Sequence, residues 1–277
     1  MNNLCFRQFF CCFADTAERA RRADTGAQPL RREPKCMNTF FLAHNNDCIV
    51  YRGLFKCAND AVRESIWRVV GRRDSPPGSI IADKVDNETL ATLLGSFCKR
   101  RVIHFATVRD PVDRFLSGAR EHFYRSKKLK EARTTSDARF DAAVRDEFRS
   151  FVQRPVMPHG HTSLIHVRPM YIALRASAAR LPNLPLRIVH VENMTRDLRS
   201  TLASYSLFKL RMLGVNESLG HHASSEDEHG AYEVFRDVLR GVSHDELCRF
   251  LAPDYSEEFA TTRYPPCSSR LAAFVGQ

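Results

Sequence analysis

A chain of 277 residues, 43% hydrophobic and 27% charged, has the ordinary make-up of a globular protein and the length for one sizeable domain. Its formal net charge of +10 favours anionic partners: nucleic acid, acidic polysaccharide, phosphorylated small molecules or a membrane surface. No apolar stretch approaches the ~20 residues of a membrane-spanning helix, which excludes a span within this sequence.

The first apolar segment, Leu4 to Ala14, is interrupted by Arg7 and Gln8 and makes a poor signal peptide, although Cys11-Cys12 is a candidate for acylation. Residues 1–36, rich in Arg, Ala, Asp and Pro from Asp15 on, read as a flexible tether, and residues 37–277 as the organised domain. Cys48 to Phe55 reads as a strand, and Lys56-Cys57-Ala58-Asn59-Asp60 as the turn after it. Val62, Ile66, Val69 and Val70 then fall at helical spacing, interspersed with Arg63, Arg68, Arg72 and Arg73, until Asp74-Ser75-Pro76-Pro77-Gly78 breaks the helix. Asn87 to Arg100 is predicted helical and leads into a β-branched apolar run, Val102 to Val108, short enough for a buried strand.

After that strand comes Arg109, then Asp110 as an N-cap and Pro111 in the first turn of a helix. Val112, Phe115, Leu116, Ala119 and Phe123 form its apolar stripe; Arg114, Ser117 and Glu121 lie on a different face. Arg125 to Arg154 is heavily charged, with Phe140, Val144, Phe148 and Phe151 marking one amphipathic helix. Leu186 to Val191 is predicted as a further strand, followed by Glu192 and a helix from about Thr195. Leu219 to Gly230 is a polar loop, and Ala231–Leu239 and Asp245–Leu251 look helical. Strands alternating with helices imply an α/β domain with a mainly parallel sheet.

Nine cysteines contain no CxxC pair, which argues against zinc; disulfides are open, but their pairing is unreadable. Three N-glycosylation sequons begin at Asn87, Asn193 and Asn216 and favour a secretory route only slightly.

The chemistry rests on two basic turns. Lys56 follows a strand and precedes a helix whose first amides lack partners, so amides, helix dipole and ammonium together suit a phosphate or sulfate. This is not the nucleoside-triphosphate P-loop, because GxxxxGK[ST] is absent. Arg109 offers a planar fork to a second phosphate, and Ser117 a hydroxyl. A ligand with two separated anionic groups would engage both turns.

Phe55 to Arg63 resembles the 5′-phosphosulfate loop of sulfotransferases, and Val108 to Ser117 resembles their 3′-phosphate motif, Arg-x-Pro-x-x-Arg-x-x-Ser. The chain resembles carbohydrate sulfotransferases of the family 2 type found in the Golgi. His166 to Tyr171 is similar to their His-Trp-x-Pro segment. Val189 to Met194 is similar to their strand ending in Tyr-Glu-x-Leu, and Ala252 to Phe259 to their closing Tyr-x-x-Asp-Phe region. The resemblance spans about Asp47 to Tyr264. It implies a P-loop-like three-layer α/β fold with a central, mainly parallel sheet. It also implies transfer of a sulfuryl group from PAPS (3′-phosphoadenosine 5′-phosphosulfate) to a glycan hydroxyl, with no metal. By the same resemblance, Lys56 and the amides of Cys57, Ala58, Asn59, Asp60 and Ala61 would hold the 5′-phosphosulfate, and Arg109 and Ser117 the 3′-phosphate. Lys56 would also stabilise charge on the leaving phosphate.

One departure stands out: where related loops carry Thr or Ser, this chain has Asn59-Asp60-Ala61. A carboxylate ~5 Å from a phosphate costs about 3 kcal/mol at an effective dielectric of 20, more than the ~1 kcal/mol of an N-cap. The direction taken by Asp60 therefore decides whether the loop works. For the acceptor side, His166 is the first candidate for a general base, with His122, His159 and His161 as alternatives. Glu192 reads better as a residue that orients a turn or pairs with an Arg than as a catalytic one. Arg125, Lys127, Lys128 and Lys130 could line a groove for an acidic glycan, against the plainer reading of a solvated charge run. The expected partner is a glycan or glycoprotein. Membrane anchoring is left open, and a Golgi location follows by resemblance. The main rival is a non-catalytic, degenerate sulfotransferase-fold binding protein. A nucleic-acid-binding protein ranks behind both, for want of a basic–aromatic module.

Overall fold

A computed structural model describes residues 37–70, 79–125, 166–205, 243–259 and 261–276, with isolated positions at 139, 142–143, 145–146, 236 and 239–241. The described residues build a five-stranded sheet: β1 (Met37–His44), β2 (Asp47–Leu54), β3 (Ile80–Asp83), β4 (Arg101–Val108) and β5 (Leu186–His190), in the order β3-β1-β2-β4-β5. β1 runs antiparallel to both of its neighbours; β2, β4 and β5 are parallel, with Arg52 opposite Ala106 and Val108 opposite His190. β2 is buried along its whole length, as a central strand covered on both faces must be.

The helices are α1 (Asn59–Val70), α2 (Asn87–Phe97), α3 (Pro111–Arg125), α4 (Met170–Arg180), α5 (Met194–Leu202), α6 (His244–Leu251) and α7 (Cys267–Gly276). One face of the sheet packs Tyr51, Ile103 and Phe105 against Val62 and Ile66 of α1 and Leu198 and Leu202 of α5. The other face packs Phe41 and Val50 against Leu90 of α2, and Ala106 and Val108 against Met170, Ala173 and Leu174 of α4. The result is three layers, α/β/α. A separate apolar cluster joins Val112, Phe115 and Leu116 of α3 to Leu247, Phe250 and Leu251 of α6 and Leu271 and Phe274 of α7.

The strands at 48–55, 102–108 and 186–191 appear within a residue or two of expectation. β1 and β3 were not expected. β1 reads as an apolar run without alternation because it too is covered on both faces, and β3 is a four-residue edge. The hairpin between β1 and β2 turns on Asn45 and Asn46, both in the left-handed region that Asn tolerates. Two disulfides join the described cysteines, Cys48–Cys98 and Cys248–Cys267, while Cys57 is a buried free thiol. Most of the expected helices at Phe140–Phe151 and 231–239, and the loop at 219–230, lie outside the described residues. No helix among the described residues is long and apolar enough to cross a membrane.

Candidate active site

Because β2, β4 and β5 are parallel neighbours, the turns that leave them emerge side by side at one edge of the sheet. Ligands bind at such carboxyl ends. The first turn, residues 55–58, is distinguished by its backbone. Lys56 and Ala58 have φ of 61° and 55°. These left-handed residues flank Cys57. Non-glycine residues in this region carry strain of order 1–3 kcal/mol each, a cost that concentrates at functional sites. The first helical bond of α1 runs from the Val62 amide to the Ala58 carbonyl at 3.0 Å, so the amides of Asn59, Asp60 and Ala61 precede the helical ladder.

Cys57 corrects the expectation for this loop. Its amide donates to the Leu54 carbonyl and its buried thiol lies 3.5 Å from Met170 Sδ, so it anchors the turn from below instead of facing an anion. Burial pushes its thiol up to about 11, against the pull of Arg114 and Arg109. Asn59 is buried as well, its side chain folded over Gly53, where a Cβ would collide with the Asn59 amide oxygen. Asp60 turns outward: its side chain is 90% exposed and pairs with Arg63 Nη1 at 3.4 Å. Arg63 in turn pairs with Asp83 of β3. A carboxylate in water, already paired, repels a nearby anion by ~1 kcal/mol or less. Of the two orientations open to Asp60, the structure has the harmless one.

The second turn, residues 109–110, is built by side chains. Asp110 caps α3 as expected, its Oδ1 accepting from the amides of Val112 (2.9 Å) and Asp113 (3.1 Å). The Asp110 amide donates to Glu192 Oε1 at 3.0 Å, and Tyr264 donates its hydroxyl to Glu192 Oε2 at 2.7 Å. Glu192 thus orients the turn, the plainer of its two roles. Arg270 of α7 closes the arrangement, with Nε 3.3 Å from Asp110 Oδ2 and Nη2 2.5 Å from Asp113 Oδ1. Burial raises the Asp110 carboxyl above the usual range; the amides of Asp113 and Val112 and the charge of Arg270 oppose that rise. Arg109 is half-buried, and its guanidinium makes no hydrogen bond or ion pair among the described residues. Ser117 is half-buried two turns into α3.

Two bonds lock the turns together. Thr107 of β4 donates to the Cys57 carbonyl at 2.7 Å and is itself bonded by the Tyr51 hydroxyl at 2.9 Å. Arg114 donates from Nε to the Phe55 carbonyl (3.1 Å) and from Nη1 to the Arg168 carbonyl (2.6 Å). Arg114 is 1% exposed: the polar face of α3 points into the protein at this position and staples three segments. Asp254, also buried, bonds the Tyr171 amide at 2.9 Å at the start of α4, and the charge of nearby Arg114 offsets part of its burial cost.

His166 is 8% exposed, its ring 4.8 Å from that of Phe55 in a tilted stack, so it sits directly beside the Lys56 turn. Its carbonyl lies against Gly118, where a Cβ would fall inside van der Waals contact with that oxygen. His159, His161, Lys127, Lys128 and Lys130 lie outside the described residues, as do the side chains of His122 and Arg125. Among the described residues no group of three or more His, Cys, Asp or Glu side chains is placed to hold a metal.

Sequence reasoning missed Tyr264 and Arg270. Both lie far along the chain from the motif they support, and neither belongs to a local pattern.

Two basic turns thus stand side by side at the carboxyl ends of parallel strands of an α/β sheet, the place where such folds bind ligands. The model of the sulfotransferase family matches residues 34–264, and the chain belongs to that family. Searches of curated proteins and of solved structures gave no match.

Proposed function

We propose that this sulfotransferase takes its sulfuryl group from PAPS and delivers it to a carbohydrate hydroxyl. The observation that carries this reading is the pair of cradles: the Lys56 turn offers backbone amides, and the Arg109 turn offers a guanidinium with no partner among the described residues. They are held side by side by Thr107 and Arg114. They follow neighbouring parallel strands and so lie at the same end of the sheet, as a ligand with two phosphates requires. When bound, PAPS supplies the sulfuryl group, which moves in line to an acceptor oxygen.

The amides of residues 58–61 orient the 5′-phosphosulfate, and Lys56 offsets charge as it builds on the leaving phosphate. Arg109 and Ser117 hold the 3′-phosphate. His166, beside Phe55, takes the proton from the acceptor hydroxyl. The net charge of +10 suits an acidic glycan. Two disulfides in a domain of this size suit an oxidising compartment, in keeping with a Golgi lumen.

The test is incubation of the purified protein with labelled PAPS and a panel of glycans. Transfer that disappears in Lys56→Ala supports the proposal. Tight binding of PAP (the desulfated nucleotide) without transfer to any glycan would replace it with the non-catalytic reading. The outward turn of Asp60 weighs against that outcome.

A further inference from the structure

The Arg109 turn carries an electrostatic problem of its own. If it holds a phosphate, as proposed above, that phosphate arrives among three carboxylates. Asp110 caps the helix, Glu192 accepts from the Asp110 amide, and Asp113 occupies the first turn of α3. Asp113 and Ser117 are four residues apart on one helix, so they share a face with Cβ atoms roughly 5–6 Å apart. A phosphate on the Ser117 hydroxyl therefore approaches the Asp113 carboxylate. Arg109 supplies one positive charge. Arg114 is no help, because it is buried, stapled to two carbonyls and close to Asp254.

Among the described residues, Arg270 is the cation that pairs with both offending aspartates. Its helix is fixed in place for this. Leu271 and Phe274 pack with Val112, Phe115 and Leu116 of α3, and the disulfide Cys248–Cys267 ties the start of α7 to α6.

We infer that Arg270 is a positioning residue for the donor's 3′-phosphate: it neutralises Asp113 and Asp110 so that the Arg109 turn accepts a second anion. It does not touch the nucleotide. The inference rests on the donor reading above, and it makes a claim about selectivity that a structural role alone does not make. PAP and adenosine 5′-monophosphate (AMP) differ only in the 3′-phosphate, so Arg270 should matter for the first and not the second.

The experiment is calorimetric titration of both nucleotides into the intact protein. Wild type should prefer PAP to AMP by a factor of a hundred or more. Arg270→Met should weaken PAP roughly tenfold, the effect of one unit charge across a partly solvated site, and leave AMP within twofold. Arg270→Lys, which keeps the charge, should stay within threefold of wild type for both. Asp113→Asn in the native background should tighten PAP severalfold without changing AMP, and this variant decides the matter if Arg270→Met does not fold. An unchanged PAP/AMP ratio in Arg270→Met, whether both affinities fall or neither moves, overturns the inference, as does Asp113→Asn with no gain for PAP. Failure of wild type itself to prefer PAP overturns the donor reading, and this inference with it.

Discussion

The two turns proposed to hold an anion, each at the end of a strand, are built by different means. The Lys56 turn uses backbone: two left-handed residues and the first amides of α1. The Arg109 turn uses side chains: a capping aspartate, a glutamate just after the next strand, a tyrosine behind it and an arginine from the C-terminal helix. A backbone cradle tolerates changes of side chain, so Asp60 stands where a hydroxyl is expected and simply points into solvent. A side-chain cradle does not, since each member holds another. The difference predicts that substitutions around Lys56 act sharply only at Lys56 itself, whereas the Arg109 turn is sensitive at many distant positions.

The largest effect should come from Lys56→Ala. Loss of one preorganised charge at the reacting group should lower transfer by a factor of about 10²–10³, with the thermal midpoint of unfolding nearly unchanged. Activity within tenfold of wild type would mean that the reacting end lies elsewhere. Next comes β4, the strand from which both turns are braced. His104 is buried there against the Leu184 carbonyl and Ser177, and desolvation, with the charge of Arg52 adding to it, lowers it from 6.5 to about 4. The unfolded chain takes up a proton below about pH 6.5 that the folded protein refuses until about pH 4. Stability is therefore fully present above pH 6.5 and falls through that window, by on the order of 3 kcal/mol in all. Urea midpoints from pH 7 to 4.5 should show the loss, and it should shrink in His104→Leu.

Arg109→Met should weaken PAP binding by roughly 1.5–3 kcal/mol, the scale of charge-assisted bonds, while sparing AMP; equal loss of both would show that the turn is only structural. Gly118→Ala should cost about 1–3 kcal/mol of stability, the scale of overpacking in a closed site, because a Cβ there meets the His166 carbonyl. It should also disturb His166 and so sharpen the link between α3 and the acceptor side. The smallest effect is expected at Asp60→Thr, a change in PAP affinity of less than about threefold, since an exposed, paired carboxylate contributes little. A large gain would mean that Asp60 reaches the cradle after all.

What was legible in the sequence follows the same division. The Arg109 turn announced itself because an arginine, a capping aspartate, a proline and a serine are side-chain signals at fixed spacing. The strands β2, β4 and β5 were legible as buried β-branched runs bounded by turns. The Lys56 loop was only half legible: its left-handed residues are Lys and Ala, which carry no glycine signal, and its key groups are amides, which every sequence has. Cys57 looked like a member of the cradle and proved to be its anchor. Arg114 was placed off the apolar stripe of α3 and proved to be a buried staple, because periodicity places a residue on a face but does not say what that face meets. Glu192 was read correctly as an orienting group from its place after a strand. Tyr264 and Arg270 were invisible, since contacts spanning 72 and 157 residues leave no local pattern.

The most direct test is a crystal structure with PAP bound. The account predicts the 5′-phosphate on the amides of residues 58–61 and Lys56, the 3′-phosphate on Arg109 and Ser117, and the Asp60 carboxylate still on Arg63. A nucleotide bound away from these two turns, or an Asp60 side chain swung into the cradle, would contradict it.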